Sequence, residues 1–322
     1  MHYLLCYTIA LTPLEKSANP TVHESIERLI DVRTVDYESY FSHIEHTLAF
    51  DQPPDAILRL HFVKADASGE PRFRQLARLL VRYIAVFCFT AEKRHSLPEI
   101  ERDELWMQAR DLFRNENMSG QAGELLIYFL LEAVLHAPQA LKKMPMTTNP
   151  KEERKGSDGV HIRWDETAGI LEILFAEAKI YKSFSKALND AFESMEMFHE
   201  SRTKVFEVNT FTSGFSNLDS KLQKKVVTFI EGENAAHCRT GHACLIGFDW
   251  REYQCLGDKR RADFIKEFED RYRAWATRKR DSLNEKITSF KHKHINFEFF
   301  FVPFHDVEMF RKWFMEELRG RS

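Results

Sequence analysis

The strongest constraint on the fold is a short segment, residues 156–179, which has the pattern of a β-hairpin. Apolar and polar residues alternate from Val160 to Trp164, as on a strand with two different faces. The next residues, 165–169, are polar or small and suit a tight turn. Residues 170–175 are nearly all apolar, which is typical of a strand buried on both sides. We therefore predict a buried hairpin around which the rest of the chain is organised.

Three charged residues fall at the open end of this hairpin. Folding about the turn brings Asp158 close to Glu177, while Lys179, two residues further along the strand, points to the same face as Glu177. Two neighbouring carboxylates repel each other unless a cation lies between them, and their oxygen atoms suit Mg²⁺ or Mn²⁺. We predict that Asp158 and Glu177 bind this metal and that Lys179 offsets charge developing on a phosphoryl group. The alternative is an ordinary hairpin with a surface ion pair.

Two further residues are candidates for the same site. Residues 124–135 form a predicted helix that is apolar on nearly every side and therefore buried. Glu124 opens this helix, where the helix dipole favours a carboxylate, but it is also positioned to reach the metal directly or through a water. His161 lies on the hairpin and faces away from Val160, so it either contacts a phosphate or simply packs there.

Composition limits the class of protein. The net charge of −3 gives no overall basic bias, so any surface for nucleic acid has to be local. Five scattered cysteines, an odd number, argue against a disulfide framework and for a reducing cytoplasm. The apolar start has no basic region before it and no cleavage site, and no apolar run is long enough to cross a membrane. We expect a soluble cytoplasmic protein.

The chain divides in our interpretation into two domains. Residues 1–98 are predicted to form a small N-terminal α+β domain of unknown role, with strands at 3–9 and 57–63. Residues 99–322 form the larger domain, which contains the hairpin. Within it we predict strands at 141–147, 243–248 and 296–302 and helices at 102–113, 184–198, 218–230, 261–287 and 306–318, whereas 203–210 is ambiguous. The order strand, helix, strand near the C-terminus predicts parallel neighbouring strands.

Three other patterns allow a functional and a structural interpretation. Arg74, Arg78 and Arg82 form one helical stripe that meets phosphates, an acidic partner or only water. The pairs 237–238 and 242–244 contain His and Cys, but their spacing matches no common zinc module. Basic residues outnumber acidic ones over 258–294, and aromatic residues are interleaved with them. That segment either follows a nucleic-acid backbone or is a solvated helix whose aromatic residues enter the core.

Three segments together resemble the PD-(D/E)xK nuclease superfamily: a helix starting Gly123-Glu124-Leu125, the hairpin start Gly156-Ser157-Asp158-Gly159-Val160-His161, and the strand end Glu177-Ala178-Lys179. With the following segment Ala191-Phe192-Glu193-Ser194-Met195, they are more specifically similar to the HamA family of Hachiman anti-phage nuclease subunits. The resemblance implies a restriction-endonuclease-like mixed sheet flanked by helices. It implies that Asp158 and Glu177 bind metal, that Lys179 orients the water and that Glu124 completes the site. It also implies DNA as substrate and a superfamily-2 helicase partner of the HamB type.

The sequence thus leads to two hypotheses from different classes. The first is a Mg²⁺-dependent DNA nuclease that acts as the effector of a defence complex with a helicase. The second is a catalytically inactive subunit of such a complex that binds nucleic acid or regulates its partner. RNA stands as an alternative substrate, because no base-reading motif is visible.

Overall fold

One six-stranded mixed sheet, in the order β1-β2-β6-β5-β4-β3, forms the centre of the protein. It is seen in a computed structural model that describes residues 21–49, 56–98, 101–113, 120–142, 157–200, 218–231, 238–255, 261–292 and 295–320. The strands are β1 Phe41–Ala49, β2 Ala56–Val63, β3 Gly159–Asp165, β4 Ile170–Tyr181, β5 Cys238–Asp249 and β6 Asn296–Phe304. The α/β fold class expected from the sequence, with a mixed sheet flanked by helices, is confirmed.

The helices connect and cover these strands. They are α1 Val22–Glu27, α2 Thr34–Tyr40, α3 Phe73–Arg82, α4 Ile84–Cys88, α5 Ala91–Ser96, α6 Arg102–Phe113, α7 Gln121–Leu135, α8 Phe184–Glu200, α9 Ser220–Glu231, α10 Glu252–Cys255, α11 Arg261–Ser289 and α12 Val307–Arg319. No helix in the described part of the chain combines the length and the apolar character needed to cross a bilayer.

The predicted hairpin is present as β3 and β4, which pair antiparallel from Gly159 opposite Ala176 to Asp165 opposite Ile170. Gly169 closes the turn with φ +63°, a left-handed conformation that glycine adopts without steric cost. Strand β4 then pairs parallel with β5, and β5 pairs parallel with β6. Because β4 has a neighbour on each side, its backbone is fixed along most of its length.

Strands from the two predicted domains share this sheet. Strand β2 pairs parallel with β6, so that Leu58 lies beside Phe299, and β1 pairs antiparallel with β2 on the outer edge. The predicted strand at 57–63 is therefore β2, and it extends the sheet that contains the hairpin. The division at residue 98 stays a prediction, but the sheet itself crosses that position.

Helices pack on both faces of the sheet. On one face Phe175 of β4 packs against Phe198 of α8, with ring centroids 4.6 Å apart, and Trp275 of α11 packs against Phe301 of β6. On the other face Gly123 of α7 is so close to β4 that an added Cβ would lie 3.3 Å from the Cβ of Ala178. Even-numbered and odd-numbered residues of β4 therefore face different helices.

Most predicted elements are found at or near their expected bounds. The helices predicted at 102–113, 184–198 and 306–318 correspond to α6, α8 and α12, and the long helix from 261 ends at Ser289. The parallel pairing of β5 and β6 confirms the predicted crossover arrangement. The predicted segments 3–9 and 203–210, and 141–147 beyond residue 142, lie outside the described residues.

Candidate active site

Asp158 is fixed to the backbone of β4 immediately before β3 begins. Its backbone N–H donates to the carbonyl of Ala176 at 2.9 Å, which continues the strand ladder by one residue. Its side-chain Oδ2 accepts from the backbone N–H of Ala178 at 2.7 Å. The carboxylate of Asp158 is thus held beside the peptide that separates Glu177 from Lys179, as the hairpin register predicts.

Glu177 and Lys179 form the rest of the cluster. They lie on the face of β4 that also carries Phe175, and the Nζ of Lys179 is 2.8 Å from Oε1 of Glu177. Both side chains are largely shielded from water, Glu177 more than Lys179. The structure therefore brings Asp158, Glu177 and Lys179 together at the end of the hairpin.

The electrostatics of the cluster are unusual for a surface ion pair. Burial, and then the neighbouring Asp158 carboxylate, raise the pKa of Glu177 well above its ordinary value, although Lys179 acts in the opposite direction. Burial alone would lower the pKa of Lys179, but Glu177 and Asp158 outweigh it and raise that pKa. The Lys179 ammonium is therefore firmly protonated beside the carboxyl groups of Glu177 and Asp158.

Helix α8 contributes side chains that the sequence did not reveal. The side chain of Ser194 faces Glu177 and favours its charged form. One helical turn earlier, Asp190 faces Tyr181, the residue two beyond Lys179, and adds to the rise in the pKa of that phenol. Asp190 and Ser194 are the polar positions, four residues apart, that interrupt the apolar face of α8, and this spacing was the available signal.

Glu124 enters the region from the opposite face of the sheet. The first turn of α7 crosses β4 at Ala178 and Ile180, whose side chains face away from Glu177 and Lys179. Within the helix, the Glu124 carboxylate turns back toward Gly120, near the N-terminal backbone N–H groups that favour a negative charge. Its predicted role in completing the metal site stays a prediction.

His161 occupies the α7 face of the hairpin. It is buried, and its Nδ1 lies 2.7 Å from the carbonyl oxygen of Ala137, while its ring packs 6.1 Å from that of Tyr128. Asp158 lies an odd number of residues away and points to the other face. This placement favours the packing interpretation of His161 over a phosphate contact.

The donor set suits a hard divalent cation. The side chains of Asp158 and Glu177 present carboxylate oxygens on one face, and Mg²⁺ is commonly held by one or two carboxylates with water and substrate oxygens. Burial and the Asp158 carboxylate disfavour the charged form of Glu177 and raise its pKa, and a divalent ion beside the two carboxylates would favour that charged form. In the described part of the chain no group of three or more His, Cys, Asp or Glu side chains forms a metal site by itself. The residues present therefore fit a site with an open coordination shell.

Other candidates from the sequence have structural roles. Arg74 and Arg78 of the arginine stripe pair with Glu316 and Glu317 of α12, and Arg82 lies 3.8 Å from Asp36. His242, from the suggested zinc pattern, lies 2.8 Å from Nε2 of His199, whereas residue 237 is outside the described residues.

Glu132, which lies two turns after Glu124 in α7, is also committed elsewhere. Its carboxylate accepts from the backbone N–H groups of Asp31 and Val32, at 2.8 Å and 3.0 Å, and from that of Gln139. Glu132 thus fastens the segment between α1 and α2 to α7, far along the helix from Glu124.

A second set of buried charges lies near the start of β4, on the α7 face of the sheet. It is an alternating ladder of three arginines and three acids that borders a pocket of about 500 Å³. Almost completely buried Glu172 and Glu298 lie between the partly exposed guanidinium groups. The ladder runs Arg59–Glu298–Arg163–Glu172–Arg239–Asp165. Each acid in this ladder has at least one guanidinium partner.

A family model described as HamA matches residues 36–318, which is nearly the whole chain. No curated protein matches the chain significantly.

Proposed function

The chain belongs to the HamA family, a component of the Hachiman anti-phage defence system, and from this membership and the acidic cluster we propose that it is a metal-dependent DNA nuclease. The observation that carries the proposal is the convergence of Asp158, Glu177 and Lys179 at the end of one buried hairpin. We further propose a superfamily-2 helicase subunit of the HamB type as its partner, on the resemblance alone.

The residues divide the work of phosphodiester hydrolysis between them. Asp158 and Glu177 would hold a Mg²⁺ or Mn²⁺ ion, which supplies a Lewis acid for the phosphoryl group when bound. Asp158 is preorganised for this role by its hydrogen bond from the N–H of Ala178, and Glu177 by its ion pair with Lys179, while Ser194 favours the charged form of Glu177. Because both carboxylates are fixed before the ion arrives, little rearrangement is needed on binding.

Lys179 supplies a positive charge and hydrogen-bond donors in this proposal and does not act as a base. Its raised pKa keeps the ammonium protonated, so it offers N–H donors to phosphate oxygens and to the attacking water. The charge it neutralises in the absence of substrate, that of Glu177, is the charge the metal would take over. Lys179 would then be released to contact the negatively charged transition state.

The test uses Asp158→Asn and Lys179→Ala in the full-length chain, assayed on plasmid and linear DNA with and without Mg²⁺. We expect both variants to fold and to lose metal-dependent cleavage. Lys93→Ala, which removes an exposed lysine of α5 that lies outside every candidate site, is the matched control and should cleave normally. Mg²⁺-dependent cleavage by Asp158→Asn would contradict the assignment of Asp158 to the metal site. DNA binding by the wild type without any Mg²⁺-dependent cleavage would favour the hypothesis of a catalytically inactive binding subunit.

A further inference from the structure

Tyr181 occupies the next position after Glu177 and Lys179 on the same face of β4. Side chains on one face of a strand recur at every second residue, so these three residues form a row that runs to the end of the strand. Lys179 is two residues before Tyr181 and is therefore its direct neighbour in this row. Tyr181 therefore lies at the edge of the candidate active site, where the chain leaves the sheet for α8.

Two side chains of α8 face Tyr181. The Nζ of Lys186 lies 5.2 Å from the centre of its ring. The Asp190 carboxylate is close enough to the phenol to add to the rise in its pKa, which is caused mainly by burial and opposed by Lys179. The ring of Tyr181 is half-buried.

This exposure distinguishes Tyr181 from the tyrosines that pack the core. Tyr128 and Tyr272 are fully buried among other aromatic rings, whereas Tyr181 stays accessible at the mouth of a charged cluster. An accessible aromatic ring beside a cation is the combination with which proteins hold unpaired nucleotides. The ring stacks on a base, and the cation meets the backbone phosphate.

Resting on the proposed nuclease function, we propose that Tyr181 is a substrate-contacting residue whose ring stacks on the base of an unpaired nucleotide beside the scissile phosphodiester. Lys186 then lies next to the adjoining phosphate, and Asp190 keeps the ring in its stacking position. The ligand is a single-stranded segment of DNA, including the melted end of a duplex. Base identity has little influence, because every base offers a π face to the ring.

Cleavage mapping around one abasic nucleotide in a labelled single-stranded oligonucleotide tests the contact. With Mg²⁺, the wild type should cut one phosphodiester, at a fixed offset from the abasic position, roughly 5- to 150-fold more slowly than the others. Tyr181→Leu should cut evenly along the oligonucleotide, and Tyr181→Phe should restore the minimum because the ring is retained. Even cutting past the abasic position by the wild type would overturn the proposal.

A matched control separates the site from a general effect of losing a tyrosine. Tyr40 is also half-buried and also lies under a cation, with Arg72 4.4 Å from its ring centre, but it ends α2 beside the outer edge of the sheet. Tyr40→Leu should keep the minimum at the abasic position. Loss of the minimum in this variant would assign the effect to stability and not to stacking.

A binding measurement tests base stacking on Tyr181 even if no cleavage is seen. In a Glu177→Gln background, fluorescence anisotropy compares an oligothymidine with an abasic deoxyribose-phosphate oligomer of equal length. Tyr181→Leu should weaken binding of the oligothymidine by roughly 5- to 150-fold and leave the abasic oligomer unaffected. An equal loss on both oligomers, or none, would refute stacking, whereas a wild type that cuts nothing would refute the proposed function separately.

Discussion

The two ends of strand β4 surround their buried carboxylates in opposite ways. Near its start, Glu172 lies between the guanidinium groups of Arg163 and Arg239, in a ladder where acids and arginines are equal in number. Near its end, Glu177 lies beside both the ammonium group of Lys179, which favours its charged form, and the carboxylate of Asp158, which disfavours it. A balanced set of buried charges serves the fold, since every charge has its partner. A buried carboxylate that is repelled by a second one is suited to a bound cation.

The largest expected effect is on activity at the end of β4 that carries Glu177. Glu177→Gln removes a proposed metal ligand but keeps the shape of the side chain, so DNA cleavage should fall on the order of 10³-fold. The same change removes an unfavourable buried charge, so the melting temperature should stay level or rise. Cleavage rates with excess Mg²⁺ measure the activity, and thermal unfolding of the same preparation measures the melting temperature. Normal cleavage by this variant would show that Glu177 is not needed for activity and that the two ends of β4 do not differ in the way described.

The corresponding change at the balanced end should act on stability. Glu172→Gln leaves Arg163 and Arg239 without their shared buried partner, which should cost about 3–5 kcal/mol of unfolding free energy. Urea unfolding measures this loss. Glu166→Gln is the control, because Glu166 lies on the exposed hairpin turn and its removal should change stability by less than about 1 kcal/mol. Equal effects of the two changes would show that the ladder does not stabilise the fold.

The two ends should also respond to pH in opposite directions. The pKa of Glu177 is raised above 4.5, mainly by burial, so without divalent ions its contribution is present below pH 4.5 and is lost as pH rises through the folded value. The pKa of Asp165 is lowered below 3.8 by the N–H of Ala168 and by Arg239, so its contribution is lost as pH falls through the folded value. The unfolding free energy should be measured across pH. Glu177→Gln should remove the loss of stability at rising pH, and Asp165→Asn should remove the loss of stability at falling pH.

The smallest predicted effect is stabilisation by the metal itself. At 100 times its dissociation constant, Mg²⁺ should raise the unfolding free energy by about 3 kcal/mol if it binds only the folded chain. Glu177→Gln should abolish most of this gain, and Glu172→Gln should leave it intact despite the lower starting stability. Melting curves at increasing Mg²⁺ concentration give the result. A gain that survives in Glu177→Gln would place the ion elsewhere.

The hairpin and its charged end were predictable because they follow from local rules. Alternation between Val160 and Trp164 set the faces of β3, the turn at 165–169 set the register, and parity put Glu177 and Lys179 together. The same parity separates His161 from Asp158, as the structure shows.

What the sequence did not reveal depends on contacts between distant segments. The pairing of β2 with β6 joins Leu58 to Phe299, and no local pattern records a parallel contact across such a separation. The same holds for the ion pair of Arg59 with Glu298 and for the approach of Ser194 to Glu177. Helix α8 was predicted from its apolar stripe, but this stripe does not indicate which strand residues are in contact with the polar residues of the helix.

The odd spacing of Glu172 and Glu177 along β4 has a consequence for how the strand is allowed to vary. A shift of β4 by one residue against its neighbours would turn Glu172 toward α8 and Glu177 toward the arginines, and would exchange the side chains that face α7 with those that face α8. The arginine ladder thus stabilises the native register of β4 independently of catalysis, because a shifted pairing would separate Glu172 from its arginine partners. Insertions and deletions should therefore be tolerated at the turn around Gly169 and rejected between the two glutamates.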